Sequence, residues 1–184
     1  MKYNKLTLTF IKNASIVKTE VIRMKNVSLS NQLKLILALM LVFVIVLFAV
    51  VVPSIGSLIR DSNPEYAFAY VPCLIWSWCF AVPILLAFIP AWQIFSSIGS
   101  EQGCFVKENV KRFKTISLLA YADAVIFPVG MIVVGFLGAS QPGLAVIITP
   151  AVVVLAICAA RVFEILAKIT EDASVLKEEH DLTV

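Results

Sequence analysis

Residues 35–52 read LILALMLVFVIVLFAVVV, eighteen apolar residues without a break. A helix rises about 1.5 Å per residue and needs roughly 20 residues to cross the hydrocarbon of a bilayer. The flanking NQ and PSIGS lengthen the run enough, so a first span is expected over about 33–58. Three further apolar stretches follow, Ala67–Phe95, Ile116–Gly138 and Leu144–Leu166, and place spans over about 67–97, 114–138 and 143–166. None alternates with period two, as the strands of a membrane barrel would. Backbone groups in hydrocarbon must bond internally, which a helix does within one segment. The expected fold is therefore all-α, a four-transmembrane-helix bundle over residues 31–167. SIGS at 54–57 loosely resembles a leader-peptide cleavage site. The run before it exceeds a typical leader core and three more spans follow, so the first span is expected to stay.

Composition agrees. The chain of 184 residues is 60% hydrophobic and 15% charged, with a mean hydropathy of +0.96. Soluble domains are near half apolar and a quarter charged, so lipid is the expected solvent for this surface. Cys73, Cys79, Cys104 and Cys158 form no C-x-x-C pair, and three of them sit inside apolar runs. They read as small buried hydrophobes.

Lysine and arginine set the orientation. Lys2, Lys5, Lys12, Lys18, Arg23, Lys25 and Lys34 precede the first span; Lys107, Lys111, Arg112 and Lys114 lie between spans two and three; Arg161, Lys168 and Lys177 belong to the C-terminal part. Of the fifteen basic residues only Arg60 is left for the other side. By the positive-inside rule both termini and the 98–114 segment are expected in the cytoplasm, in a multi-pass protein of the cell membrane. Trp92 then falls near the inner interface, and Tyr66 and Tyr70 near the outer one.

The segment GCFVKENVKRFKTIS, 103–117, links spans two and three. Val106, Val110 and Phe113 recur at helical spacing beside basic residues, and Glu108 and Arg112 form an i, i+4 pair in the favourable order. A short cytoplasmic amphipathic helix lying at the lipid interface is expected here. Four cations beside anionic lipid need no nucleic acid to explain them, and direct nucleic-acid contact is not expected.

Residues 1–30 are expected as a poorly ordered tail, and 1–23 show no persistent helical stripe. Glu20-Val21 can be encoded by GAGGTN, which resembles a ribosome-binding sequence at a suitable distance before Met24. Translation is expected to begin at Met24; a disordered basic tail is the alternative. At the other end, KITEDASVLKEEHDLTV is charged and amphipathic, with Ile169, Ala173 and Leu176 at helical spacing. Residues 168–184 are expected to continue span four as a cytoplasmic helix. His180 is the only histidine, too little for a metal site.

The loop and the tail together resemble a bacterial membrane family known as domain of unknown function 2975. Gly103, Phe105, Glu108, Asn109, Lys111 and Arg112 match its loop pattern, and Glu178, Glu179, Asp181, Leu182 and Thr183 match its acidic, D-L-T ending. The resemblance covers about residues 30–184. Members often carry Thr or Ser after the phenylalanine, a natural N-cap; Val106 stands there instead, and His180 stands where asparagine is common. The family has no established activity. Some members resemble partners encoded beside a small helix-turn-helix regulator, so the resemblance implies a signalling role and such a regulator as a cytoplasmic partner.

Among individual residues, Asp123 stands out. It lies nine residues past Lys114, roughly 13 Å below the inner surface, where a carboxylate is costly unless paired, protonated or hydrated. Arg161 lies roughly 10 Å deep on the antiparallel fourth span and is the expected partner. The pair reads either as an ion-responsive switch or as an interhelical clamp; a surface Arg161–Glu164 pair beside a protonated Asp123 is the further alternative. Pro53, Pro83, Pro90, Pro128 and Pro150 interrupt the spans, as packing features or as kinks that open a cavity. Trp76 and Trp78 read as packing or interface residues. Gly130, Gly135 and Gly138 give span three a thin side for close helix contact.

Three function classes follow in order. The first is a membrane-bound regulatory or scaffold protein with cytoplasmic contact surfaces. The second is a small transporter or channel subunit acting as a homo-oligomer, although no polar stripe or internal repeat supports it. The third is an enzyme, which is not expected: no nucleophile set, metal cluster, phosphate loop or carboxylate pair at useful spacing is present, and no cofactor is implied.

Overall fold

The computed structural model describes the backbone over 3–100, 105–139 and 142–182, and side chains over 24–100, 105–139 and, with a few exceptions, 143–179. The fold is all-α. Helix α1 covers Tyr3–Val46, a π-helical turn Leu47–Val51 joins it to α2, Val52–Ser62, and a 3₁₀ segment, Pro64–Ala69, leads into α3, Tyr70–Ile98. Helices α4, Lys107–Phe136, and α5, Pro142–Leu182, complete the chain. Among the described residues, four stretches are long and apolar enough to cross a membrane: Met24–Ser62, Pro64–Ile98, Lys107–Phe136 and Ala145–Lys177. α1 takes in residues 3–30, the segment expected as a poorly ordered tail.

Neighbouring spans pack as antiparallel pairs. The most extensive contact is α4 on α5, then α3 on α4, then α1 on α3. Small residues explain the first. Val110, Ser117 and Ala124 are buried along α4 at seven-residue steps, and Ala160, Ala167 and Ser174 do the same along α5. Side chains this short let two helix backbones approach closely, which replaces the hydrophobic drive that lipid removes. Lys114 Nζ reaches Glu171 Oε2 at 3.2 Å and marks the level at which the two helices meet.

Aromatic rings join the other spans. Phe48 of the first span, Phe80 of α3 and Phe127 of α4 follow one another at centroid distances of 6.4 and 5.3 Å. Trp76 packs on Phe127 at 5.3 Å and donates its indole N–H to the Ile126 carbonyl at 3.3 Å. Gly130 makes room for it, since a Cβ there would overlap the indole. Gly135 and Gly138 face outward and do not serve the close contact expected of them. Gly138 ends α4 instead. Its φ of 71° is left-handed, Gly138 N–H donates to Gly135 O at 2.9 Å and Ala139 N–H to Val134 O at 3.2 Å. This is the Schellman ending that favours glycine.

No separate amphipathic helix exists between spans two and three among the described residues. Lys107–Lys114 is the first two turns of α4, which runs unbroken to Phe136. The change from charged to apolar at Thr115 alters the surroundings of the helix, but no glycine or proline interrupts its hydrogen bonds before Pro128.

Candidate functional site

The first turn of α4 begins at Val106, which is extended, with φ −127° and ψ 148°, and has no side-chain cap. Its carbonyl accepts the Asn109 N–H at 3.0 Å. Glu108 in this turn suits the positive end of the helix dipole. Asn109 turns inward and is fully buried, 0% exposed. Its amide Nδ2 donates to Ser97 Oγ at 2.6 Å, and its Oδ1 accepts Arg112 Nη1 at 2.7 Å. Arg112 Nε donates to Gln93 Oε1 at 3.0 Å, so the expected Glu108–Arg112 pair gives way to bonds with Asn109 and α3. Ser97 Oγ in turn donates to Ile94 O at 2.7 Å. A buried amide needs its partners, and here each polar group finds one.

The first span joins at the same level. Ser30 is buried, donates Oγ to Phe95 O at 2.6 Å, and sits against Gly99. Lys34 Nζ lies 5.8 Å from the Trp92 ring centroid. From α5, Thr170 and Ser174 are buried, and each turns its hydroxyl onto its own helix. Because α5 runs antiparallel to α4 and Glu171 meets Lys114, the residues after Glu171 run alongside the first turns of α4. The loop pattern and the tail pattern therefore share one end of the bundle. Of the loop residues, Phe105, Glu108 and Lys111 are exposed and Gly103 lies outside the described residues. Glu178, Glu179, Asp181 and Leu182 fall in the last turns of α5, with Glu179 exposed, and Thr183 lies outside the described residues.

Asp123 and Arg161 are not brought together. Asp123 is buried, 7% exposed, on the face of α4 that also carries Phe127 and Gly130. Its Oδ1 has no hydrogen-bond partner among the described residues. Arg161 faces outward, pairs with Glu164 at 2.8 Å and lies over the Tyr121 ring at 5.8 Å. Tyr121 Oη reaches the same Glu164 oxygen at 3.4 Å.

The opposite end holds a cavity of about 610 Å³ to which all four spans contribute. Neither it nor the partners of Asn109 is visible as a motif. Ser96-Ser97 and Gln93 at the close of an apolar span were the only signal for the polar cluster.

No curated protein and no solved structure matches the chain. The model of a family described as "Protein of unknown function (DUF2975)" matches residues 56–184, which include α3, α4, α5, the Asn109 cluster and the acidic ending. The chain belongs to this DUF2975 family.

Proposed function

We propose that this protein is a regulatory or scaffold protein of the cell membrane, with both termini in the cytoplasm and a contact surface formed by the start of α4 and the end of α5. The observation that carries the reading is the buried Asn109 between Ser97 and Arg112. It holds the start of α4 firmly on α3, so exposed Lys107, Lys111 and Lys114 are presented by a rigid frame. Beside them, α5 has 41 residues, about 60 Å of helix against roughly 30 Å of hydrocarbon. Its far half thus stands clear of the lipid as a charged rod suited to a soluble protein. By family resemblance the partner is a small helix-turn-helix regulator. The reading assigns no catalytic step and no direct contact with nucleic acid.

The test combines topology with capture. Single cysteines at positions 111 and 177 are labelled by an impermeant maleimide only after the membrane is opened, and a photo-crosslinker at Lys111 captures the small regulator encoded beside the gene. Labelling of intact cells at either position defeats the reading. Solute flux in liposomes holding this protein alone would support a small transporter or channel subunit instead.

A further inference from the structure

We infer that the cavity at the end opposite Asn109 is a binding site for a single-chain amphiphile with an anionic head. Its walls are mostly apolar: Cys73 and Leu74 come from α3, Phe127, Met131 and Val134 from α4, and Ile148 from α5. Its volume of about 610 Å³ is within the range of roughly 300–1,000 Å³ usual for small-molecule sites. The occupant inferred for it is a molecule with one alkyl chain rather than the two of a phospholipid.

The polar lining is confined to the connection between the first two spans. Arg60, Asn63, Tyr66 and Tyr70 stand there, and Arg60 is the one charged residue among the described residues lining the cavity. Its guanidinium is held 5.1 Å from the Tyr70 ring centroid. Gly56 lets Tyr70 lie this close, because a Cβ at Gly56 would come within 2.9 Å of the ring. Arg60 Nε donates to Asp61 Oδ1 at 2.9 Å, but both side chains are well exposed, 41% and 66%. An exposed pair of this kind is weak, and the terminal Nη1 and Nη2 remain to take a carboxylate in a fork. Apolar walls below and a forked cation at the rim match a fatty-acid-like molecule entering from the adjoining leaflet. The inference is independent of the proposed role of the other end.

The test uses the full chain with Cys79, Cys104 and Cys158 changed to serine, in nanodiscs of zwitterionic lipid, and follows maleimide labelling of Cys73 inside the cavity. Laurate is expected to slow labelling in a saturable way. Dodecanol, with the same chain and no charge, is expected to need about tenfold more for equal protection, and Arg60→Gln to raise the laurate requirement about tenfold, each variant being compared with its own rate in the absence of laurate. Ala145→Phe, which fills the apolar part, is expected to remove protection by both. Nanodiscs containing phosphatidylglycerol in place of laurate should leave labelling unchanged. The proposal is overturned if laurate gives no saturable protection, if Arg60→Gln is protected as well as the parent, or if phosphatidylglycerol protects as well as laurate.

Discussion

The side-chain amide of Asn109 donates to the hydroxyl of Ser97 at 2.6 Å across the α3–α4 connection. With Arg112 on its carbonyl oxygen, one buried side chain ties together two helices and the basic surface. Asn109→Ala removes both bonds and leaves a void at a fully buried position, while Ser97 and Arg112 keep only their bonds to Ile94 O and Gln93 Oε1. A loss of about 1–3 kcal/mol is expected, read as a lower midpoint in mixed-micelle unfolding. Ser97→Ala alone should cost less. The double variant should lose less than the two singles together, since they share a bond. Parental stability in Asn109→Ala would mean that the cluster does not hold the connection.

Gly130 faces the Trp76 indole, and there is no room for a methyl group between them. In an exposed helix, glycine to alanine gains up to about 1 kcal/mol from propensity. Here the sign is reversed: Gly130→Ala forces the indole off the Ile126 carbonyl and is expected to cost about 1–3 kcal/mol. Near-ultraviolet circular dichroism should report the displaced tryptophan. Trp76→Leu in the Gly130→Ala background is expected to recover part of the loss, and failure to recover any would locate the strain elsewhere.

The four spans are legible in the sequence because lipid demands apolar side chains around the whole circumference of a helix, and Leu35–Val52 meets that demand without exception. Azimuth is harder to read than depth. The expected level of α4 against α5 agrees with the contacts of Lys114 with Glu171 and of Tyr121 with Glu164. Yet Asp123 and Arg161 miss each other because rotation about the two axes sends one inward and the other out. Asn109 is hidden for a similar reason. Among Lys107, Glu108 and Lys111 it reads as one more solvated residue, and its partners Ser97 and Gln93 are on another helix, where only the tertiary fold reveals them. The cavity depends on where four helix ends diverge, and no local pattern encodes that.

That separation has a thermodynamic consequence. Asp123 Oδ1 is buried with no partner among the described residues, so replacing the carboxyl removes no bond seen at that oxygen. Asp123→Leu is expected to leave stability unchanged or to raise it by about 1 kcal/mol. Arg161→Gln breaks the exposed pair with Glu164 and the contact with the Tyr121 ring, both at the surface, and should have a small effect. The two changes should add, because the side chains share no partner. A double-mutant cycle in mixed micelles checks this, and clear coupling would show that the two residues meet in the membrane.

The first span poses a problem that its partner helix solves. In the π-helical turn the Val52 N–H reaches back five residues to Leu47 O. The next amide in that register would serve Phe48 O, but it belongs to Pro53, which has none. The Trp78 indole N–H of α3 takes its place, donating to Phe48 O at 3.3 Å. Trp78→Phe keeps an aromatic ring and removes only the donor. A cost of about 0.6–2 kcal/mol is expected, the scale of interhelical hydrogen bonds in membranes. Pro53→Ala restores an amide for Phe48 O, from residue 53 in the π register or from residue 52 if the helix reverts to the α register. In that background Trp78→Phe should cost markedly less. The cycle is read from unfolding midpoints in mixed micelles. An equal penalty with and without Pro53 would mean that the indole serves packing alone, since a freed carbonyl is the one feature that makes the two sites interdependent.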